Sequence, residues 1–209
     1  EPVIPAEEDF PYAMRVTSEV LESNGSSSMA TVCSGVMALL DAGVPLIRPV
    51  GAIAVGLVTE MDENDNIKEY KTLLDIIGSE DFYGDMDFKI CGTSEGITGY
   101  QLDLKLAGVP LAILEEAVVK AAGGREKVLQ KMHDTIAVPA ALSEYAPRIE
   151  STKIDPERIG ELIGPGGKNI KGIQAESGAD INIEDDGTVH VYASKKESLD
   201  RAMEMIKQM

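Results

Sequence analysis

Ser79–Ile90 reads SEDFYGDMDFKI, and its last six residues alternate acid, apolar, acid, apolar, base, apolar. On a strand, residues two apart share a face. The pattern therefore predicts a β-strand with Asp85, Asp87 and Lys89 on one side and Met86, Phe88 and Ile90 turned into a core. Asp81 stands four residues earlier, across a turn containing Gly84, and can fold back toward the charged face. Carboxylates held this close repel unless something compensates them. Mg2+ or Mn2+ is one compensator, usually held by one or two carboxylates plus substrate phosphate. A solvated acidic edge strand explains the charge pattern equally well.

Around this strand, Ile97–Leu106 reads as a hairpin partner joined through GTSEG. Upstream, Val50–Thr59 is a Gly/Ala/Val/Ile-rich buried strand followed by the acidic tip DENDN. Tyr12–Leu21 alternates in the manner of a strand. Met29, Val32, Cys33, Val36, Met37 and Leu40 follow a helical spacing that ends at Asp41-Ala-Gly43. Tyr70–Gly78 reads as a short helix, and Pro110–Ala122 and Arg125–Ile136 as two helices separated by Gly123-Gly124.

Between the first strand and the first helix lies Ser23-Asn-Gly-Ser-Ser-Ser28. Hydroxyls beside the free N–H groups of a helix N-terminus make an anion site without net positive charge. Ordinary N-capping or a serine-rich loop explains the same residues.

Ala137–Pro147 reads as a linker, and a compact unit follows it. Its order is strand, helix, GPGG, helix, strand, strand, helix, with Asp185-Asp-Gly187 turning the last hairpin. Gly164-Pro165-Gly166-Gly167 lets a nucleic-acid backbone approach the peptide closely, and Lys168 and Lys171 follow in a window free of acids. This β-α-α-β-β-α order with GXXG between its first two helices resembles a KH domain, a reader of single-stranded nucleic acid.

The net charge of −17 excludes a protein coated in basic surface for duplex DNA, although a basic loop or a metal reverses the sign locally. Two cysteines, Cys33 and Cys91, make neither a disulfide framework nor a four-cysteine zinc site. No run has the length of a membrane span. His133 and His190 are isolated, so no Ser-His-Asp arrangement is indicated. The chain starts at Glu1 without Met and reads as a piece of something longer.

ESNGSSSMA, IIGSEDFYGDMDFKI and GTSEGITGYQLDLKL together resemble the second RNase PH-type domain of the polynucleotide phosphorylase family, which carries a KH domain at this place. The resemblance implies an α+β protein. A partial RNase PH-type (ribosomal protein S5 domain 2-like) β-α layered domain over 1–136 is followed by a linker over 137–147 and a small type I KH domain over 148–209. It implies a phosphorolytic 3′–5′ exoribonuclease of mRNA turnover, reversible as a polymerase, that releases nucleoside diphosphates. Ser26, Ser27 and Ser28 match the loop for inorganic phosphate, the co-substrate. Asp81 and Asp87 match metal ligands for Mg2+ (or Mn2+), with Lys89 beside them as catalytic residues, while Asp85 has no assigned role. Gly164, Pro165, Gly166, Gly167, Lys168 and Lys171 match the RNA-binding loop.

The same resemblance implies single-stranded RNA as partner, other RNA-degradation proteins, and a homotrimeric ring completed by an N-terminal RNase PH-type copy. It places the protein in the cytoplasm or, in an organellar form, within an organelle. The isolated chain is expected to be inactive without the missing domains. A non-catalytic scaffold subunit of an exosome-like ring and a hydrolytic exoribonuclease on the same fold are the competing readings.

Overall fold

The computed structural model describes all residues except Glu1, Glu8 and Glu144. The chain divides into two compact units, Glu1–Ala141 and Leu142–Met209, and the division falls inside the segment read as a linker.

The first unit is built on a four-stranded antiparallel sheet in the order β2-β1-β3-β4. Its strands are β1 (Gly51–Met61), β2 (Ile67–Leu74), β3 (Met86–Gly92) and β4 (Ile97–Leu104). The alternation in β3 divides its side chains as the sequence predicts. Met86, Phe88 and Ile90 join Ile53, Val55 and Leu57 of β1 under α3 (Leu111–Thr135), against Ile113, Ala117 and Ala121. The alternate set meets α1 (Ser27–Asp41), where Cys91 Sγ lies 3.7 Å from Met29 Sδ. Val36 and Leu40 of α1 pack with Val50 and with Met132 near the end of α3. A short helix, α2 (Gly78–Tyr83), leads into β3.

Three elements differ from the sequence reading. Tyr12–Leu21 forms no strand, because alternation supplies a pattern but not a partner. Of the stretch Tyr70–Gly78 read as a helix, Gly78 opens α2, and residues 70–74 instead end β2, which pairs with β1 from Val55↔Leu74 to Met61↔Ile67. Its turn is pinned by Asp62, whose Oδ1 accepts hydrogen bonds from the Asn64 and Asn66 N–H groups, each at 2.8 Å. The two helices expected around Gly123-Gly124 are one 25-residue helix. Glycine inside a helix costs about 1 kcal/mol relative to alanine. Here a side-chain carbon on Gly124 would lie 2.7 Å from Ile53 and 2.8 Å from Leu74, so glycine lets α3 descend onto the sheet.

The second unit holds a three-stranded antiparallel sheet, β5-β7-β6, made of β5 (Arg148–Lys153), β6 (Asp180–Ile183) and β7 (Thr188–Ala193). Its helices are α4 (Ile159–Ile163), α5 (Lys168–Ser177) and α6 (Lys196–Lys207). Leu199, Ala202, Met203 and Ile206 recur at helical spacing on α6 and close over Val189 and Val191. Among the described residues, no helix is long and apolar enough to cross a membrane.

Candidate functional site

The serine loop ends where α1 begins. Ser26 is the N-cap residue, yet its side chain makes no capping bond, and the first turn of α1 contains no acid. Ser26 and Ser28 hydroxyls instead contact each other at 3.2 Å. The helix thus presents hydroxyls and its positive end together. Gly25 is required by proximity, since a side-chain carbon there would sit 2.8 Å from the Ile76 carbonyl oxygen. Asn24 fastens the loop to α2, its Oδ1 accepting the Gly78 N–H at 3.2 Å.

The start of α2 is closed by Glu80, whose carboxylate accepts the Ile77 N–H at 2.9 Å. Its end is held by Lys105, which donates to the Asp81 and Phe82 carbonyls. These contacts fix the backbone that carries Asp81. On β3, Asp87 Oδ2 pairs with Lys89 Nζ at 2.7 Å, and Asp103 Oδ2 on β4 stands 3.8 Å from the same ammonium. The hydrogen bond to Asp87 raises the Lys89 pKa above its ordinary value. The nearby charges of Asp87, Asp103 and Asp81 add to this, while burial opposes it. Lys89 therefore remains an ammonium at neutral pH.

These elements enclose a cleft of about 170 Å³ lined by Gly25, Ser26, Ser27, Ser28, Ile76, Asp81, Asp87 and Lys89. Two segments distant in sequence, Gly25–Ser28 and Ile76–Lys89, thus meet in one place. A second groove of about 650 Å³ shares Gly25, Ser26, Ser27 and Ile76 and extends along Ser18–Asn24 and Asp75. No local motif marks this groove, which arises only when the two chain segments are apposed.

Asp85 does not line the cleft. Its Oδ2 accepts the Thr59 N–H at 2.7 Å and the Thr59 hydroxyl at 2.8 Å, tying the start of β3 to β1. The face predicted for Asp85, Asp87 and Lys89 is therefore shared by only the last two, because Asp85 precedes the ladder of β3 and turns to its neighbour.

Among the described residues, no three His, Cys, Asp or Glu side chains gather into a metal cage. The cleft does contain Asp81 and Asp87, and Asp87 Oδ1 is buried without a hydrogen-bond partner. That donor set fits a hard divalent cation that completes its shell with substrate phosphate and water.

In the second unit, Gly164, Gly166 and Gly167 all have positive φ, at 69°, 62° and 78°. Asn169 folds under this loop, donating from Nδ2 to the Glu161 carbonyl at 2.8 Å. A side-chain carbon on Gly164 would meet Asn169 at 2.5 Å, whereas one on Gly166 would meet nothing within 4 Å. Gly166 is thus the open crest of the loop. Lys168 and Lys171 lie on the first turns of α5, whose N-cap Gly167 offers no side chain to the free N–H groups. Leu162 is buried, while the adjacent Ile163 remains partly exposed.

Residues 149–208 match the KH domain family, and residues 1–45 match the 3′ exoribonuclease family, domain 1, the RNase PH family. A polyribonucleotide nucleotidyltransferase of Akkermansia muciniphila is 70% identical over 208 residues, covering 100% of this chain and 29% of that protein. The chain is related to the polyribonucleotide nucleotidyltransferases along its whole length. The enzyme of that name from Methylacidiphilum infernorum is 58% identical, covering 100% of this chain and 30% of the relative. The one from Opitutus terrae is 50% identical, covering 98% and 28%. The chain spans under a third of the length of the curated relatives it matches. The RNase PH match thus falls in the first unit and the KH match spans most of the second, in keeping with the α+β fold class expected from the sequence.

Proposed function

We propose that the chain supplies a phosphorolytic centre and an RNA grip to a polyribonucleotide nucleotidyltransferase that shortens single-stranded RNA from its 3′ end. The cleft uniting Ser26–Ser28 with Asp81, Asp87 and Lys89 carries this reading. Inorganic phosphate sits against the serine hydroxyls and the N-terminus of α1, which orient one of its oxygens toward the terminal phosphodiester. That oxygen bonds to phosphorus in line with the departing 3′ oxygen. The P–O3′ bond breaks, the shortened RNA recovers a 3′ hydroxyl by taking a proton, and a nucleoside diphosphate leaves.

Lys89, kept protonated by Asp87, faces the charge that grows on the phosphoryl oxygens. Asp81 and the open Oδ1 of Asp87 would hold Mg2+ or Mn2+, which would supply Lewis-acid neutralisation of the phosphates. The positive-φ glycine loop and Lys168 and Lys171 hold the RNA backbone upstream of the reacting end. The same reading includes a ring-shaped homotrimer completed by a further RNase PH-type copy, working in the cytoplasm or an organelle alongside other RNA-degradation proteins.

The test is to give the longer protein labelled single-stranded RNA and Mg2+ with or without inorganic phosphate. Nucleoside diphosphates formed only with phosphate are expected. Monophosphates would indicate hydrolysis, and binding without products would indicate a scaffold; either result overturns the proposal.

A further inference from the structure

Arg125 on α3 is only 7% exposed, and among the described residues it has no ion-pair partner. Nε donates a long hydrogen bond of 3.4 Å to the Thr93 carbonyl, and Nη1 is buried without a partner. Among the described residues no carboxylate comes within the 4.0 Å of an ion pair with it. A guanidinium held this deeply by one long hydrogen bond, and bordering an open groove, would gain from an anion partner.

The sheet is shaped to admit this guanidinium. Gly51 and Gly92 are cross-strand partners on β1 and β3. A side-chain carbon on Gly51 would meet Arg125 Cγ at 3.4 Å, and one on Gly92 would meet Nε at 3.1 Å. The same positions also face Leu129, at 2.9 Å, and the Gly96 carbonyl, so the paired glycines leave room for the Arg125 stem beside its neighbours. Beside it opens a cavity of about 510 Å³ in which Thr93, Ser94, Gln130 and His133 join Arg125, with Pro49 and Leu129 on its apolar wall. The nearby acid Glu95 is engaged by Arg48 at 2.5 Å, and Glu126 stands exposed at the wall. The cavity shares no lining residue with the cleft of Ser26–Ser28 and Lys89.

We propose that this cavity binds a small oxyanion, a carboxylate or a phosphate, received edge-on by the Arg125 fork. The planar guanidinium matches a two-oxygen edge, whether that edge belongs to a free anion or to an acidic side chain of the longer protein. This site is independent of the phosphorolytic reading, since none of its residues serves that cleft.

Thermal melting and calorimetry of the chain with inorganic phosphate and with malonate test the assignment, using Arg125→Met and Arg125→Lys. Ligand bound only to the folded state raises Tm in a saturable way. In anion-free buffer Arg125→Met should melt no lower than the parent, because it removes an unbalanced charge. In saturating malonate the parent should overtake it, and Arg125→Lys, which lacks the fork, should bind at least tenfold more weakly.

Ser28→Ala separates the two anion sites, because it disturbs the serine cleft alone. Binding that disappears in Ser28→Ala but survives in Arg125→Met would overturn the proposal. So would an equal loss of Tm in Arg125→Met with and without anion, which would make Arg125 a packing residue. The Arg125 Nε–H resonance distinguishes the two sources. A shift on adding malonate identifies a free anion, and the same shifted position in the longer protein without added anion identifies a side-chain carboxylate. An unshifted resonance in both refutes the site.

Discussion

Removing the charge of Asp87 while keeping its shape, as Asp87→Asn does, isolates the ion pair at the centre of the cleft. Asp87 and Lys89 are separated by 2.7 Å, with side chains 11% and 15% exposed. After the substitution Lys89 keeps only Asp103, 3.8 Å away on a side chain that is 63% exposed. Breaking a fully buried pair from one side costs about 3–5 kcal/mol. The residual solvent access, Asp103 and the remaining amide oxygen reduce that to about 2 kcal/mol, the range of one charge-assisted hydrogen bond. Lys89→Met leaves both Asp87 oxygens without a cation and should cost a similar amount, about 2 kcal/mol.

The double variant contains neither charge, so its loss should stay near that of one single variant, a coupling of about 2 kcal/mol. Urea unfolding followed at β3 amides measures this cycle in the first unit alone, without assuming that both units unfold together. All three variants should also lose phosphorolysis in the longer protein. If the two single losses simply add, the pair does not hold the cleft and the argument from its burial fails.

The raised pKa of Lys89 gives this contribution a definite pH window. Stability from the pair is complete below the unfolded lysine value, about 10.4, and is lost as pH rises through the higher folded value. Alkaline unfolding should therefore be steeper in the parent than in Lys89→Met. Asp186 behaves in the opposite sense. The Thr188 backbone N–H, then the Thr188 hydroxyl and Lys153, lower its pKa to about 2. Its support of the β6–β7 turn is present above the unfolded value of about 3.9 and fades as pH falls through about 2. The protection factor of the Thr188 amide, exchange corrected for its intrinsic pH dependence, should fall over that interval in the parent and stay flat in Asp186→Asn. Gly166→Asp should weaken single-stranded RNA binding at least tenfold in a filter or polarisation assay. It should also lower stability by about 1–2 kcal/mol, because φ is 62° at Gly166 and an L side chain is strained there, even though an added side-chain carbon meets no atom within 4 Å. Gly124→Val should lower the Tm of the first unit by overpacking against Ile53 and Leu74, at a cost of about 1–3 kcal/mol.

Period-two alternation placed Phe88 and Ile90 against α3 and Asp87 and Lys89 on the opposite face, because one partner strand on each side satisfies β3. The KH unit was legible almost element by element, its glycines and hairpin turn being local signals. Tyr12–Leu21 was misread because alternation is silent about whether a neighbouring strand exists. The segment from Tyr70 was misread because the hairpin geometry set at Asp62, not its own propensity, makes it a strand. Gly124 looked like punctuation yet serves close packing, which only the facing Ile53 and Leu74 disclose.

For the candidate site, charge crowding marked Asp81, Asp85 and Asp87 alike, and family resemblance singled out Asp81 and Asp87 and matched the serines. Neither revealed that Asp85 belongs to Thr59. Nor did either single out Arg125, whose meaning depends on two glycines facing each other across strands.

The clasp between Asn24 and the Gly78 amide also makes the protein its own indicator. That single N–H is held by a side chain from the serine loop while belonging to the helix that carries Asp81. Its exchange with solvent deuterium therefore counts how often the two banks of the cleft part company. An inhibitor bridging the banks should silence that exchange, whereas one resting on either bank alone should leave it running, so one resonance sorts binding modes before any co-structure exists.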